Sequence, residues 1–301
     1  MEYTRLGNTG LNVSRICFGC MWFGRPGNGG IDVRFGEDQA REVIRYAWER
    51  GINFFDTANY YSLGASEEVL GKVIAQMGVR DDAVIATKSY YPMYEGTNAK
   101  GVNRKTLFRE VDASLRRLGT DYIDLYVPHR LDHDTPMEEQ MEALNDLVRS
   151  GKVLYIGASA MYAWQFLKMN MIAEAHGWAK FVSMQDMYNL VYREEEKEMH
   201  PMLLDQERVL RYPTSFGAYE ALALGQAAID LAPEYESGYT ITITRECNGV
   251  RMFQWVADDK EERNLLFAEG KLCSSRSRDH SFSVECVLST DTVTRATPQR
   301  F

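Results

Sequence analysis

Residues 53–61 read NFFDTANYY. The apolar pair Phe54–Phe55 has the character of a short buried strand. It ends on an ionisable residue, Asp56, and the phenol of Tyr61 follows five positions later. The flanking sequence shows what kind of strand this is. Upstream, EDQAREVIRYAWERG sets Ala40, Val43, Ile44 and Ala47 on one face of a helix that stops at Gly51. Downstream, SEEVLGKVIAQM is a helix opened by Ser66, and DAVIATK is a second strand that ends on another ionisable residue, Lys88.

The alternation continues. NRKTLFREVDASLRRLG is a helix closing on basic residues and Gly119, and YIDLYVPH is a strand running into His129. TPMEEQMEALNDLVRSG is a helix with Thr135 as cap, Pro136 at its first position and Glu138 completing a capping box. VLYIGAS is a strand, AWQFLKMNMIAEAHG a helix and KFVSMQDMYN a sixth strand. At the N-terminus, YTRLGNTGLNVSRICFG is a hairpin turning at Gly7–Gly10, followed by an apolar strand.

Strands that recur every roughly 30–40 residues, each followed by a helix, define an α/β chain with a parallel sheet. An open dinucleotide-binding sheet calls for G-x-G-x-x-G after its first strand, and FGCMWFG lacks that spacing. Polar residues stand instead at the ends of several strands: Asp56, Lys88, His129, Ser159 and Gln185. Convergence from many strand ends onto one face is the habit of a barrel.

After the sixth strand the rhythm stops. REEEKEMHPMLLDQ is a helix whose charge run, Arg193 to Glu198, makes a solvated face. GAYEALALGQAAIDLA is a helix, YTITITRECNGVRMFQWVA a hairpin turning at Asn248–Gly249, EERNLLFAEGKL a helix and HSFSVECVLS a strand. The expected architecture is therefore an incomplete (β/α)8 TIM-type barrel of about six β/α units over residues 1–206. A small α+β domain is expected over residues 207–301.

Composition narrows the function. With 301 residues and 45% hydrophobic content the chain can bury a sizeable core. A formal charge of -9 argues against nucleic-acid or anionic-membrane partners. Five scattered cysteines and the start MEYTRLGNTG fit a cytoplasmic protein rather than a secreted, disulfide-built one. Cys17 and Cys20 form C-x-x-C without a second pair or a following helix, which makes them two thiols on an apolar strand. His129 and His133 lie on a loop, so no metal site is expected there.

A barrel would gather Asp56, Tyr61, Lys88 and His129, which belong to three consecutive strand ends. A phenol, with its pKa near 10, is a poor acid at neutral pH. A nearby ammonium favours the phenolate, and a carboxylate keeps that ammonium charged and in place. Asp56, Lys88 and Tyr61 would make a general acid, with His129 orienting a polarised carbonyl. The set suits protonation of a carbonyl oxygen while a hydride reaches its carbon.

LGNTGLNVSRICFG, GINFFDTANYYSLGASEEVLG, RLGTDYIDLYVPHRLD and VLYIGASAMYAWQF resemble the aldo-keto reductase superfamily. The similarity is to the branch of potassium-channel β-subunit-like and versiconal-type reductases, and covers residues 3–199. The resemblance implies a (β/α)8 barrel and NADPH-dependent reduction of aldehydes and ketones, with a small-molecule carbonyl substrate as partner. It places the family's catalytic aspartate, tyrosine, lysine and histidine on Asp56, Tyr61, Lys88 and His129. It sets Gly19, Cys20 and Met21, with Asp56, along the nicotinamide ribose, and Ser159 and Gln185 on the carboxamide. It makes Trp22, Tyr60 and Tyr91 walls of the substrate mouth, positions where ordinary packing at a loop base would equally place aromatics.

The family's W-S-P-L-A-like seventh strand, and the basic residues that hold the adenosine 2′-phosphate, have no counterpart in this sequence. LRYPTSFGAYEALALGQAAIDLA and RNLLFAEGKLCSSRS carry a fainter resemblance, over residues 207–290, to a haem-degrading-like α+β family, and it assigns no catalytic residue. Two partial domains in tandem suggest a fusion. The alternative to an active reductase is a binding or regulatory module, or an inactive fusion product, that keeps the four residues by descent.

Overall fold

A computed structural model describes residues 1–24, 35–188, 193–205 and 210–213, and four two-residue strands between positions 240 and 256. The chain divides into two units, Met1–Asp186 with Lys197–Ser215, and Met187–Glu196 with Phe216–Phe301.

The first unit opens with an antiparallel hairpin of β1 (Tyr3–Arg5) and β2 (Asn12–Ser14). A parallel sheet follows, in the order β3 (Cys17–Gly19), β4 (Phe54–Asp56), β5 (Val84–Ser89), β6 (Ile123–Pro128), β7 (Val153–Ser159), β8 (Phe181–Asp186) and β9 (Leu210–Pro213). The connecting helices are α1 (Glu37–Glu49), α2 (Ala65–Met77), α3 (Arg104–Leu118), α4 (Met137–Arg149) and α5 (Ala163–His176), with a short α6 (Met199–Asp205) before β9. The expected six strands and the five helices between them are present. The helix expected over REEEKEMHPMLLDQ is shorter: Glu194–Glu196 forms a 3₁₀ turn and α6 begins only at Met199, so the charge run is not a helix face. The sheet also continues past residue 206, because Leu210–Pro213 pairs in parallel with Ser183–Asp186 as a seventh strand.

Period-2 alternation sorts the side chains into two cores. Phe54, Val84, Ala86, Leu125 and Val127 pack on the concave side against Leu6 and Val13, so the N-terminal hairpin covers the apolar lower layers. Phe55, Ile85 and Tyr126 point outward into the larger core shared with the helices. Continuing each concave row by two residues leads from Phe54 to Asp56 and from Ala86 to Lys88. The ionisable groups thus emerge at the carboxyl ends, above an apolar floor.

The helix layer is tightest at Gly71 of α2, where a Cβ would sit 2.1 Å from the carbonyl oxygen of Leu118. Backbone atoms cannot yield as a flexible side chain can. Gly71→Ala is expected to cost about 1–3 kcal/mol of stability through overpacking. A lowered urea midpoint would show it, and an unchanged midpoint would contradict the close α2–α3 approach.

Two expected helix starts are corrected. Ser66 does not open α2, which begins at Ala65 with Gly64 in the cap position; its hydroxyl donates instead to the Cys20 carbonyl (2.7 Å). Thr135 does not cap α4; the helix begins at Met137 with Pro136 in the cap position. The Thr135 hydroxyl donates instead to Asp132 Oδ2 (2.7 Å), which also accepts from the Val102 N–H (2.8 Å). A charged acceptor is a stronger partner than the first-turn amides the hydroxyl would otherwise serve.

In the second unit, Thr240–Ile241 pairs antiparallel with Trp255–Val256, and Glu246–Cys247 with Val250–Arg251. The inner pairing sets Cys247 opposite Val250, antiparallel as the expected hairpin requires. The helices expected at 217–232 and 261–272, and the strand at 280–289, lie outside the described residues. No helix among the described residues is long and apolar enough to cross a membrane.

Candidate active site

Asp56 is the last residue of β4, and Lys88 is the penultimate residue of β5. Both are buried. Lys88 Nζ lies 2.5 Å from Asp56 Oδ1, 2.7 Å from the Thr57 carbonyl oxygen and 3.4 Å from Tyr61 Oη. Three N–H donors therefore meet three oxygens, which is the full capacity of an ammonium group. Burial works against the Lys88 charge, yet Asp56 and then Tyr61 outweigh it and hold its pKa above the ordinary lysine value.

A strained turn delivers Tyr61 to this ammonium. Tyr61–Gly64 forms a single 3₁₀ turn, in which Ser62 (φ 50°) and Leu63 (φ 51°) both adopt left-handed backbone angles. For non-glycine residues that conformation costs roughly 1–2 kcal/mol each. The Ser62 hydroxyl offsets part of it by donating to the Phe23 carbonyl (3.0 Å). Gly64 then takes φ +93° against the Arg117 side chain, where a Cβ would come within 2.5 Å of Cδ. The turn sits between the segment that follows β3, at Phe23, and α3, at Arg117.

Residues on either side of Lys88 tie its strand to the outer layer. The Thr87 hydroxyl donates to Glu67 Oε1 (2.6 Å), and Arg117 Nε donates to Glu67 Oε2 (2.5 Å). Ser89 Oγ and Tyr126 Oη share a hydrogen bond of 2.5 Å. Burial pushes the Tyr126 phenol well up, so it remains a neutral structural group.

His129 follows β6 directly, with its backbone N–H bonded to the Ser89 carbonyl (3.0 Å). Its ring lies 5.7 Å from the Tyr61 ring and 5.2 Å from that of Tyr91, edge-on to both. Burial, then the positive charges of Lys88 and Arg130, drive its pKa well below the usual histidine value. The imidazole is therefore neutral at pH 7 and keeps one N–H to donate. Buried Nδ1 has no hydrogen-bond partner among the described residues, where aromatic edges rather than a polar bond at that nitrogen hold the ring.

The structure thus gathers Asp56, Tyr61, Lys88 and His129 into one cluster. Tyr60 and Tyr91 lie beside it with ring centroids 4.9 Å apart. Trp22 is half-buried in the turn after β3, and its carbonyl accepts from the Phe35 N–H (3.2 Å). Gly19 is in register with Asp56. The Cys20 N–H donates to the Asp56 carbonyl (2.8 Å), and half-buried Met21 comes next. Burial first, then Asp56, raises both the Cys17 and Cys20 thiols far above their ordinary pKa, which leaves them unreactive. The two belong to different cores, Cys17 concave and Cys20 outer.

Ser159 and Gln185 are register partners at the ends of β7 and β8, both buried. Sequence reasoning reached these two positions but missed the bond that Gln185 Nε2 makes to Asp56 Oδ2 (3.1 Å). It also missed Thr57, whose contribution is a carbonyl oxygen and so leaves no trace in residue identity. Glu67 lay in view within SEEVLG, an acidic residue on the apolar face of its helix, and that misplacement was the available signal.

Parallel strands with helices, polar side chains gathered at the carboxyl ends and an apolar layer beneath them define the active-site plan of a barrel enzyme. The family model described as Aldo/keto reductase family matches residues 15–212, and the chain belongs to that family. Versiconal hemiacetal acetate reductase of Aspergillus parasiticus is 45% identical over 223 residues, covering 68% of this chain and 64% of that protein. An aldo-keto reductase of Fusarium vanettenii is 40% identical over 222 residues, 66% of this chain and 60% of the relative. Another, from Metarhizium robertsii, is 40% identical over 223 residues, with the same two shares of 66% and 60%. The chain therefore spans less than two thirds of the length of these curated relatives.

Proposed function

We propose that this chain reduces an aldehyde or ketone to an alcohol with NADPH, and that Tyr61 is the general acid. The observation that carries this reading is the buried Lys88 ammonium, shared between Asp56, the Thr57 carbonyl and the Tyr61 hydroxyl. An ammonium beside a phenol stabilises the phenolate that proton donation leaves behind, and burial strengthens the effect by lowering the local dielectric. Asp56 keeps Lys88 charged. His129, neutral and still a donor, polarises the carbonyl oxygen that Tyr61 protonates.

The residues at the strand ends suit the nicotinamide half of the cofactor. Ser159 and Gln185 place a hydroxyl and an amide side by side, a donor and acceptor set complementary to a carboxamide. Gly19, Cys20 and Met21 would lie along the ribose beside Asp56. NADPH, when bound, supplies the hydride that the carbonyl carbon receives.

The adenosine phosphates need cationic side chains and helix N-termini. The family match ends at residue 212, and the residues beyond 213 lie largely outside the described ones. Lost charge-assisted contacts cost about 1.5–3 kcal/mol each, so losing two weakens binding by about a hundredfold or more. Titration with NADPH, followed by cofactor fluorescence alongside an intact relative, should show saturation at least that much weaker. Equal affinity would overturn the weak-site expectation, with Lys260, Arg263, Lys271, Arg276 and Arg278 then the cations to test. No saturation at any attainable concentration would favour the non-catalytic reading.

A further inference from the structure

Asp56 and Gln185 stand on β4 and β8, four places apart in the sheet order. In a flat sheet four strand spacings separate them by about 19 Å. Their 3.1 Å hydrogen bond exists because the sheet curls until its concave side brings the two strand ends face to face. A carboxylate only accepts hydrogen bonds, so the Gln185 amide nitrogen is the atom that faces it. Asp56 thus has Lys88 on one oxygen and Gln185 on the other.

We propose that Gln185 is a positioning residue for the Asp56–Lys88–Tyr61 relay, in addition to any contact it makes with a cofactor. By donating to Oδ2, the amide draws charge from the carboxylate and leaves more of the Lys88 field directed at the Tyr61 hydroxyl. It also holds the Asp56 side chain from the far side of the barrel, in a position that neither β4 nor β5 can reach. The amide keeps a second N–H and its carbonyl oxygen for a ligand, so one side chain joins the carboxamide subsite to the acid. This link rests on the reductase reading, whereas the tie to Asp56 is a property of the cofactor-free protein.

The test uses the full chain carrying tyrosine labelled at ¹³Cζ, titrated by NMR without cofactor, with the Tyr61 signal assigned by Tyr61→Phe. Gln185→Met removes the amide at nearly constant length and should raise the Tyr61 titration midpoint by about one pH unit. Gln185→Asn keeps an amide one methylene too short to reach Asp56. It should give a shift in the same direction, and it serves in place of Gln185→Met if that variant fails to fold. At saturating NADPH both variants should also lose about tenfold in kcat, with the alkaline limb of the pH–rate profile displaced upward. An unmoved Tyr61 midpoint overturns the proposal, and a change confined to NADPH affinity does the same by reducing Gln185 to a cofactor contact. If the midpoint moves while neither parent nor variant reduces any carbonyl, the positioning role stands and the reductase reading falls.

Discussion

Tyr61→Phe is expected to lower kcat for carbonyl reduction by about 10²–10⁴-fold, the contribution of a positioned general acid. The substitution removes one oxygen from a buried site and preserves the ring packed against His129. Lys88 keeps Asp56 and the Thr57 carbonyl as partners when its 3.4 Å contact with the Tyr61 hydroxyl is lost. Folding and NADPH affinity should therefore survive, and the loss should fall on kcat rather than on KM, as it does when the missing interaction belongs to the transition state. Steady-state kinetics at saturating cofactor, with a parallel fluorescence titration, separates the two. Retention of more than about a tenth of the parental kcat would remove Tyr61 from the acid role.

How far the site could be read from sequence follows from which interactions leave a trace in residue identity. NFFDTA and AVIATK announce themselves because a strand's apolar alternation ends on a charge, and Asp56 and Lys88 lie where that reading put them. Strand and helix order was legible for the same reason, since period 2 and period 3.6 are written in the hydrophobic pattern. The turn that presents Tyr61 was not. Nothing in the order Ser62–Leu63 signals two successive left-handed residues; tertiary contacts at Phe23 and Arg117 impose them. Gln185–Asp56 was hidden by its 129-residue separation, and Thr57 acts through its backbone. The α4 cap went wrong because a local rule met a stronger distant partner, Asp132. The seventh strand was missed because LRYP offers four residues and no alternation to detect.

Lys88→Met should destabilise the first unit by about 3–5 kcal/mol, since it strands a carboxylate that the folded chain cannot expose to water. Asp56 is only 1% exposed and its strand is hydrogen-bonded on both sides, so no local adjustment hydrates it. Converting the pair together, Lys88→Met with Asp56→Leu, removes both charges and should recover most of the loss. The recovery stays incomplete because the Gln185 amide then lacks its acceptor, a deficit of about 1–3 kcal/mol. Urea midpoints of the two single variants and the double variant give the coupling directly. Since folding raises the Lys88 pKa, the stabilisation tied to its proton is complete below the unfolded value of about 10.4 and is lost as pH rises through the folded one. The parent should therefore lose stability on the alkaline side in a way that the double variant does not. Activity should stay absent in the double variant even where its stability matches the parent, because a phenol without the neighbouring ammonium is again a poor acid at neutral pH. A double variant that is stable and still reduces carbonyls would show that the buried pair serves the fold and that the acid works without it.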